Sequence, residues 1–176
     1  MSIKLICNDR RSLEISPDIY NSTILKLFIT ENLDNDDPSI EMHFDISIIK
    51  NIIEYIQWKK DKNEVTEIDE LEKVYFEYWI KNTELFYKHD INDIINCANY
   101  LGIDFLLEKI GSYLIISEMT KTYESMFSYN HDFIFKYVLP HISLEDLVCL
   151  YNKPCESKTV NITKELEEII IKKYKE

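Results

Sequence analysis

Glycine is almost missing from this sequence. Only Gly102 and Gly111 occur, and two isolated glycines make neither a phosphate-cradling loop nor a dinucleotide fingerprint. The four cysteines, Cys7, Cys97, Cys149 and Cys155, have no close-paired spacing. That argues against paired-cysteine zinc and redox centres and predicts reduced, mostly buried thiols in a reducing compartment. His43, His89, His131 and His141 are scattered, with no His-x-x-x-His pair for zinc. No apolar run of about 18 residues and no leader-like start is present, so a soluble chain, cytoplasmic or nuclear, is expected. Cationic residues are outnumbered, 20 Lys and Arg against 32 Asp and Glu, for a net charge of −12. This balance argues against nucleic acid or an anionic membrane as partner, since both demand a cationic face. Alanine appears once, at Ala98, while Ile, Asn, Lys and Tyr abound. Such usage fits an AT-rich coding genome, that of a large DNA virus or a parasite. Neither catalysis nor a cofactor is expected.

What is present is enough apolar material for a core, 45% of 176 residues, a length that fits one domain with a C-terminal extension. Ile3, Leu5 and Cys7 alternate with Lys4, Ile6 and Asn8, the period of a strand. Asn8-Asp9-Arg10-Arg11 turns the chain, Leu13 and Ile15 alternate in a second strand, and the two pair as a hairpin. Ile24, Leu25, Phe28 and Ile29 have helical spacing, and Asp34 to Pro38 reads as a loop. Ile40, Met42 and Phe44 alternate as a third strand. Asp45 or Ser47 is positioned to cap a helix carrying Ile48, Ile49, Ile52, Ile53 and Ile56 and closing at Trp58. The charge-dense stretch 59–72 reads as a solvated linker. Helical spacing resumes over 71–85 through Val74, Tyr75, Tyr78 and Trp79. Strands followed by helices, with little βαβ alternation, predict an α+β fold in which a small three-stranded sheet packs against a helical layer.

The most informative stretch is 85–119. Asp90 is a good N-cap, Asp93 stands at N3, and Gly102 falls where the helix should stop. Ile91, Ile94, Ile95 and Ala98 form one apolar stripe, from which Asn92, Asn96, Asn99 and Tyr100 fall away. An amide-rich surface with an aromatic ring suits a protein partner better than a substrate. An ordinary alternative is that Tyr100 merely covers its helix end. Asp104 opens the next helix, in which Leu107, Ile110 and Leu114 keep helical spacing and Gly111 permits close packing. Further on, Ser143 with Asp146 three residues later can cap a helix bearing Leu144, Leu147 and Val148. A last amphipathic helix is expected from Thr163 through Leu166, Ile169 and Ile170.

The run CANYLGIDFLLEKI resembles the S-phase kinase-associated protein family, the small cullin adaptors of SCF ubiquitin ligases. Ala98, Asn99, Tyr100, Leu101, Ile103, Leu106 and Leu107 match the family's turn between two helices, and Gly102 replaces its Asp. Ile52 to Lys62, IIEYIQWKKDK, is similar to the family's helix ending in Ile-Gln-Trp, and SIKLICND to its first strand. The resemblance covers roughly 1–119 and fades over 120–176, where a divergent helical extension is expected.

It implies a BTB/POZ-like domain acting as a non-catalytic adaptor between a cullin scaffold and an F-box-type substrate receptor. In the family the matching Asn-Tyr pair contacts the cullin, which makes Asn99 and Tyr100 the expected cullin-binding residues. Ile110, Leu114 and Ile115 are candidates for the receptor groove, although the same spacing serves an internal core. The alternative is a BTB/POZ protein with a BACK-like tail, forming a homodimer and recruiting another cullin or competing with host ligases on behalf of a virus.

Overall fold

The computed structural model describes residues 3–15, 39–62, 68–86, 90–116, 129–152 and 160–175. The expected helical segment at Ile24–Ile29, the loop at Asp34–Pro38 and Cys155 lie outside them, as does the expected domain boundary at 119. The chain divides into two compact units, Met1–Asp104 and Phe105–Glu176. Among the described residues it is mixed α+β and mostly helical, with one small sheet.

In the first unit, β1 (Ile3–Ile6) and β2 (Ser12–Ile15) pair antiparallel, with Leu5 opposite Leu13. β3 (Ser39–Glu41) pairs parallel to β1 on its other side, giving the order β2-β1-β3. The period of two buries Ile3, Leu5, Cys7 and Ile15. The third strand is shorter than its apolar alternation indicates. It ends at Glu41, although Met42 still donates its backbone N–H to Ile6 O at 2.7 Å and is buried.

The hairpin turns without glycine. Arg10 N–H donates to Cys7 O, Cys7 N–H to Arg11 O, and Arg10 takes φ 64°. This is a three-residue connection with its last residue left-handed, a place where glycine is ordinary. The Asp9 carboxylate accepts from the Arg11 backbone N–H at 3.0 Å and from its guanidinium, tightening the turn.

Helix α1 (Ile46–Lys62) begins where Asp45 accepts from the Ser47 backbone N–H at 2.8 Å. It buries Ile48, Ile49, Ile52, Tyr55 and Ile56 on one face and packs against α2 (Ile68–Phe86), α3 (Ile91–Leu101) and β2. Two expectations fail here. The helix does not close at Trp58, and the described parts of 59–72 are helical: Lys59–Lys62 continue α1 and Ile68–Glu72 open α2. The physical reason is an α1–α2 seam in which the charges find partners. Glu72 is buried; the Lys59 ammonium reaches its Oε1 at 2.6 Å and the Tyr55 hydroxyl donates to the same oxygen at 3.3 Å.

Around this centre the Trp58 ring stacks on Tyr75 at 3.8 Å and Tyr55 lies 4.8 Å from Trp79. The Trp79 indole N–H donates to Asn51 O at 3.0 Å. The buried face of α2 is therefore Glu72, Phe76, Trp79 and Ile80, whereas Val74 and Tyr78, expected on the apolar stripe, are 66% and 64% exposed.

In the second unit, α4 (Asp104–Ile116) carries Gly111, where an added Cβ would stand 2.5 Å from the Tyr137 carbonyl oxygen. That approach explains the glycine by packing. Tyr137 belongs to a composite helical run: an α turn at His131–Phe133, a π segment at Ile134–Val138 and a 3-10 turn at Leu139–His141. Helix α5 (Leu144–Asn152) opens on the expected reciprocal cap. Ser143 Oγ accepts from the Asp146 backbone N–H at 3.2 Å and donates to its carboxylate at 2.6 Å. Helix α6 (Val160–Lys175) starts three residues before the expected Thr163, buries Leu166 and packs on α5. From it, Glu165 reaches the His131 ring at 2.9 Å.

Two measurements check this account. Arg10→Gly should raise the urea midpoint at unchanged slope, a gain of about 0.5–1 kcal/mol, because the left-handed penalty removed exceeds the backbone entropy added. Lys59→Met should cost about 3 kcal/mol by stranding the Glu72 carboxylate, while Lys59→Met with Glu72→Met should recover most of that loss. Equal losses in the single and double variants would disprove the coupling.

Candidate functional site

The site is the last turn of α3 and what surrounds it. Asp90 caps the start, accepting from the Asn92 backbone N–H at 3.2 Å. Six side chains, Ile91, Ile94, Ile95, Cys97, Ala98 and Leu101, are buried and fix the rotation of the helix. Asn99 and Tyr100 are consequently turned outward, Tyr100 with 40% of its surface exposed.

The helix ends in a Schellman motif. Gly102 adopts φ 67°, its N–H donates to Asn99 O at 3.1 Å, and the Ile103 N–H donates to Ala98 O at 2.9 Å. Ile103 and Ala98 are both fully buried, the apolar contact that accompanies such an ending. The exposed pair thus sits on a turn closed at both hydrogen bonds and sealed beneath.

Beside Tyr100 lies a residue that the sequence reading places only in a strand. The Phe44 ring is 5.6 Å from the Tyr100 ring, tilted by 59°, within the preferred range for aromatic pairs. Phe44 is half-buried in the loop between β3 and α1, and its carbonyl accepts from the Asn8 backbone N–H at 3.3 Å. The Asn8 side-chain amide donates to His43 O at 2.7 Å. Hairpin turn, loop and helix end therefore meet at one surface. Nothing local in the sequence links Phe44 to Tyr100; the only hint is an aromatic residue immediately before a helix cap.

The receptor-groove candidates divide. Ile110 and Leu114 are fully buried and Ile115 is partly exposed. A receptor reaches the first two only if their packing opens.

The chemistry available around Tyr100 is recognition by amide and aromatic groups. Burial pushes the Cys97 thiol, and more modestly the Cys7 thiol, above the ordinary range, which makes both poor nucleophiles. Of the three described thiols, Cys7 and Cys97 are buried, in line with the expectation of mostly buried thiols, and Cys149 is exposed. Among the described residues no group of three or more His, Cys, Asp or Glu converges to hold a metal ion. No helix among them is long and apolar enough to cross a membrane. No protein-family model, no curated protein and no solved structure matches the chain.

Gly102→Ala should cost about 1–2 kcal/mol, since an L side chain pays that much in the left-handed region. Urea unfolding monitored by far-UV circular dichroism reads the loss, and an unchanged midpoint would contradict the turn described.

Proposed function

We propose that this chain is a non-catalytic adaptor of a cullin-RING ubiquitin ligase, with Asn99 and Tyr100 on the face that holds the cullin scaffold and an F-box-type substrate receptor held elsewhere. The observation that carries the reading is the exposed Asn99–Tyr100 pair on a closed turn, within the segment that resembles the adaptor family. Among the described residues a three-stranded sheet precedes the helices, which supports it, since a BTB/POZ-like domain implies a small sheet against a helical layer. So does the −12 charge, which disfavours polyanionic partners. Mechanistically the adaptor acts through bivalency: joining receptor and scaffold raises the effective concentration of substrate lysines near the ubiquitin-charged enzyme. No cofactor enters this scheme. A stable face would bury on the order of 800 Å² per partner.

The receptor side has less support, because Ile110 and Leu114 are buried. A second reading, a homodimeric BTB/POZ protein with a BACK-like tail that recruits a different cullin or competes for host ligases, is favoured by one observation. Residues Phe105–Glu176 form a compact unit of their own, and its described elements are helical. Light scattering on the purified chain separates the two: a monomer fits the adaptor and an obligate dimer the alternative.

The central experiment is capture of cullin N-terminal domains by the purified chain. Wild type should retain a cullin, and Asn99→Lys with Tyr100→Ala should lose about 2 kcal/mol or more of the binding free energy, the scale of a central tyrosine hot spot. The circular dichroism of the variant should be unchanged. Undiminished capture by the folded double variant would refute the assignment.

A further inference from the structure

We infer that Phe44 is a positioning residue for Tyr100: it holds the ring in its binding orientation before any partner arrives, which makes the docking surface a composite of the hairpin turn, the β3–α1 loop and the last turn of α3. The inference rests on the docking role of Tyr100 proposed above and adds a residue that the family resemblance does not supply.

An exposed tyrosine at a helix end is normally free to change rotamer, and ordering it on binding has a cost. Here the ring has a neighbour at 5.6 Å. That neighbour is held along its backbone on both sides. Asn8 donates to the Phe44 carbonyl through its N–H and to the His43 carbonyl through its side-chain amide, at 3.3 and 2.7 Å. On the other side Asp45 is locked as the cap of α1, accepting from the Ser47 N–H at 2.8 Å and from the Ser47 hydroxyl at 2.6 Å. Just before it, Met42 remains bonded to β1. These bonds fix the backbone that carries Phe44, so its ring can leave Tyr100 only by changing rotamer.

A residue serving only the core would be expected to be fully buried, as Met42 is; Phe44 is half-buried with its ring directed to an exposed one. The partner that fits is one offering an apolar or amide-bearing surface, which the proposed function identifies with the cullin scaffold. Asn99 supplies the polar contact at the rim.

The test has two arms. In the first, binding of a cullin N-terminal domain is titrated against wild type, Phe44→Ala, Phe44→Tyr, Tyr100→Ala and Phe44→Ala with Tyr100→Ala. Phe44→Ala should weaken binding by about tenfold, the scale of ordering one side chain, and Phe44→Tyr should restore it. In the Tyr100→Ala background Phe44→Ala should add nothing, an outcome that a general loss of stability would not produce. Unchanged affinity of Phe44→Ala, or equal losses in both backgrounds, would overturn the inference.

The second arm needs no partner. Ring resonances of Tyr100 should lose their ring-current shift and gain mobility in Phe44→Ala, with α3 amide shifts retained. A Tyr100 ring that is indifferent to Phe44 would overturn the inference even if cullin binds. If the wild-type chain binds no cullin while Tyr100 responds to Phe44, the proposed function fails and the positioning stands.

Discussion

The ending of α3 is the constraint from which the remainder of the site follows. Two backbone hydrogen bonds, Gly102 to Asn99 and Ile103 to Ala98, satisfy carbonyls that a helix terminus otherwise leaves to water. They require a left-handed residue at 102, which only glycine supplies at no steric cost. Once the turn is fixed, Ile103, Ala98 and Leu101 are committed to the interior. Asn99 and Tyr100 then have no direction left but outward. Exposure of the pair is a consequence of how the helix stops, and the same glycine that the sequence can hardly spare is spent on it.

The seam between α1 and α2 shows a different economy. Tyr55, Trp58, Tyr75, Phe76 and Trp79 assemble around one buried carboxylate, Glu72. Removing that charge from water costs free energy, and Lys59 with the Tyr55 hydroxyl offsets the cost by reaching the same oxygen. Burial and the Glu72 charge push the Tyr55 phenol well above its ordinary value of 10. Because the unfolded tyrosine ionises near 10 and the folded one stays neutral, this contribution is whole below pH 10 and is lost as pH rises beyond it. A shift of either helix would break these contacts and leave the buried carboxylate unsatisfied.

Local signals carried much of the site. Asp90, the Ile91–Ala98 stripe and Gly102 define the start, rotation and end of α3 from spacing and capping alone, and the structure agrees at each point. Ser143 with Asp146 is legible for the same reason, because a cap is a three-residue pattern. The larger departures, at 59–72 and at Val74 and Tyr78, involve partners distant in sequence. Charge density at 59–72 looks like a linker until Lys59 and Glu72 are brought face to face by a hairpin of helices. Val74 and Tyr78 look like core because helical spacing fixes a stripe but not which stripe faces inward; Trp79 of the expected stripe is buried, and Phe76 joins it in their place. Phe44 was legible as apolar, not as the neighbour of Tyr100, since only tertiary structure joins a strand's end to a helix's end.

The net charge and the surface at Tyr100 differ in character. A net charge of −12 gives a long-range field that draws a partner by its cationic side and repels acidic competitors, mostly through the rate of encounter. The surface at Tyr100 is, by contrast, built from an aromatic pair and amides, with Asn8, Asn99 and Asn96 exposed around it. Arg11, on the adjoining hairpin turn, is already engaged by Asp9 and Asp45. Uncharged contacts are little weakened by salt, whereas the steering field is screened beyond about 8 Å at physiological ionic strength. A partner that approaches with a cationic face should therefore associate more slowly as salt rises and, once seated at Tyr100, leave at nearly the same rate.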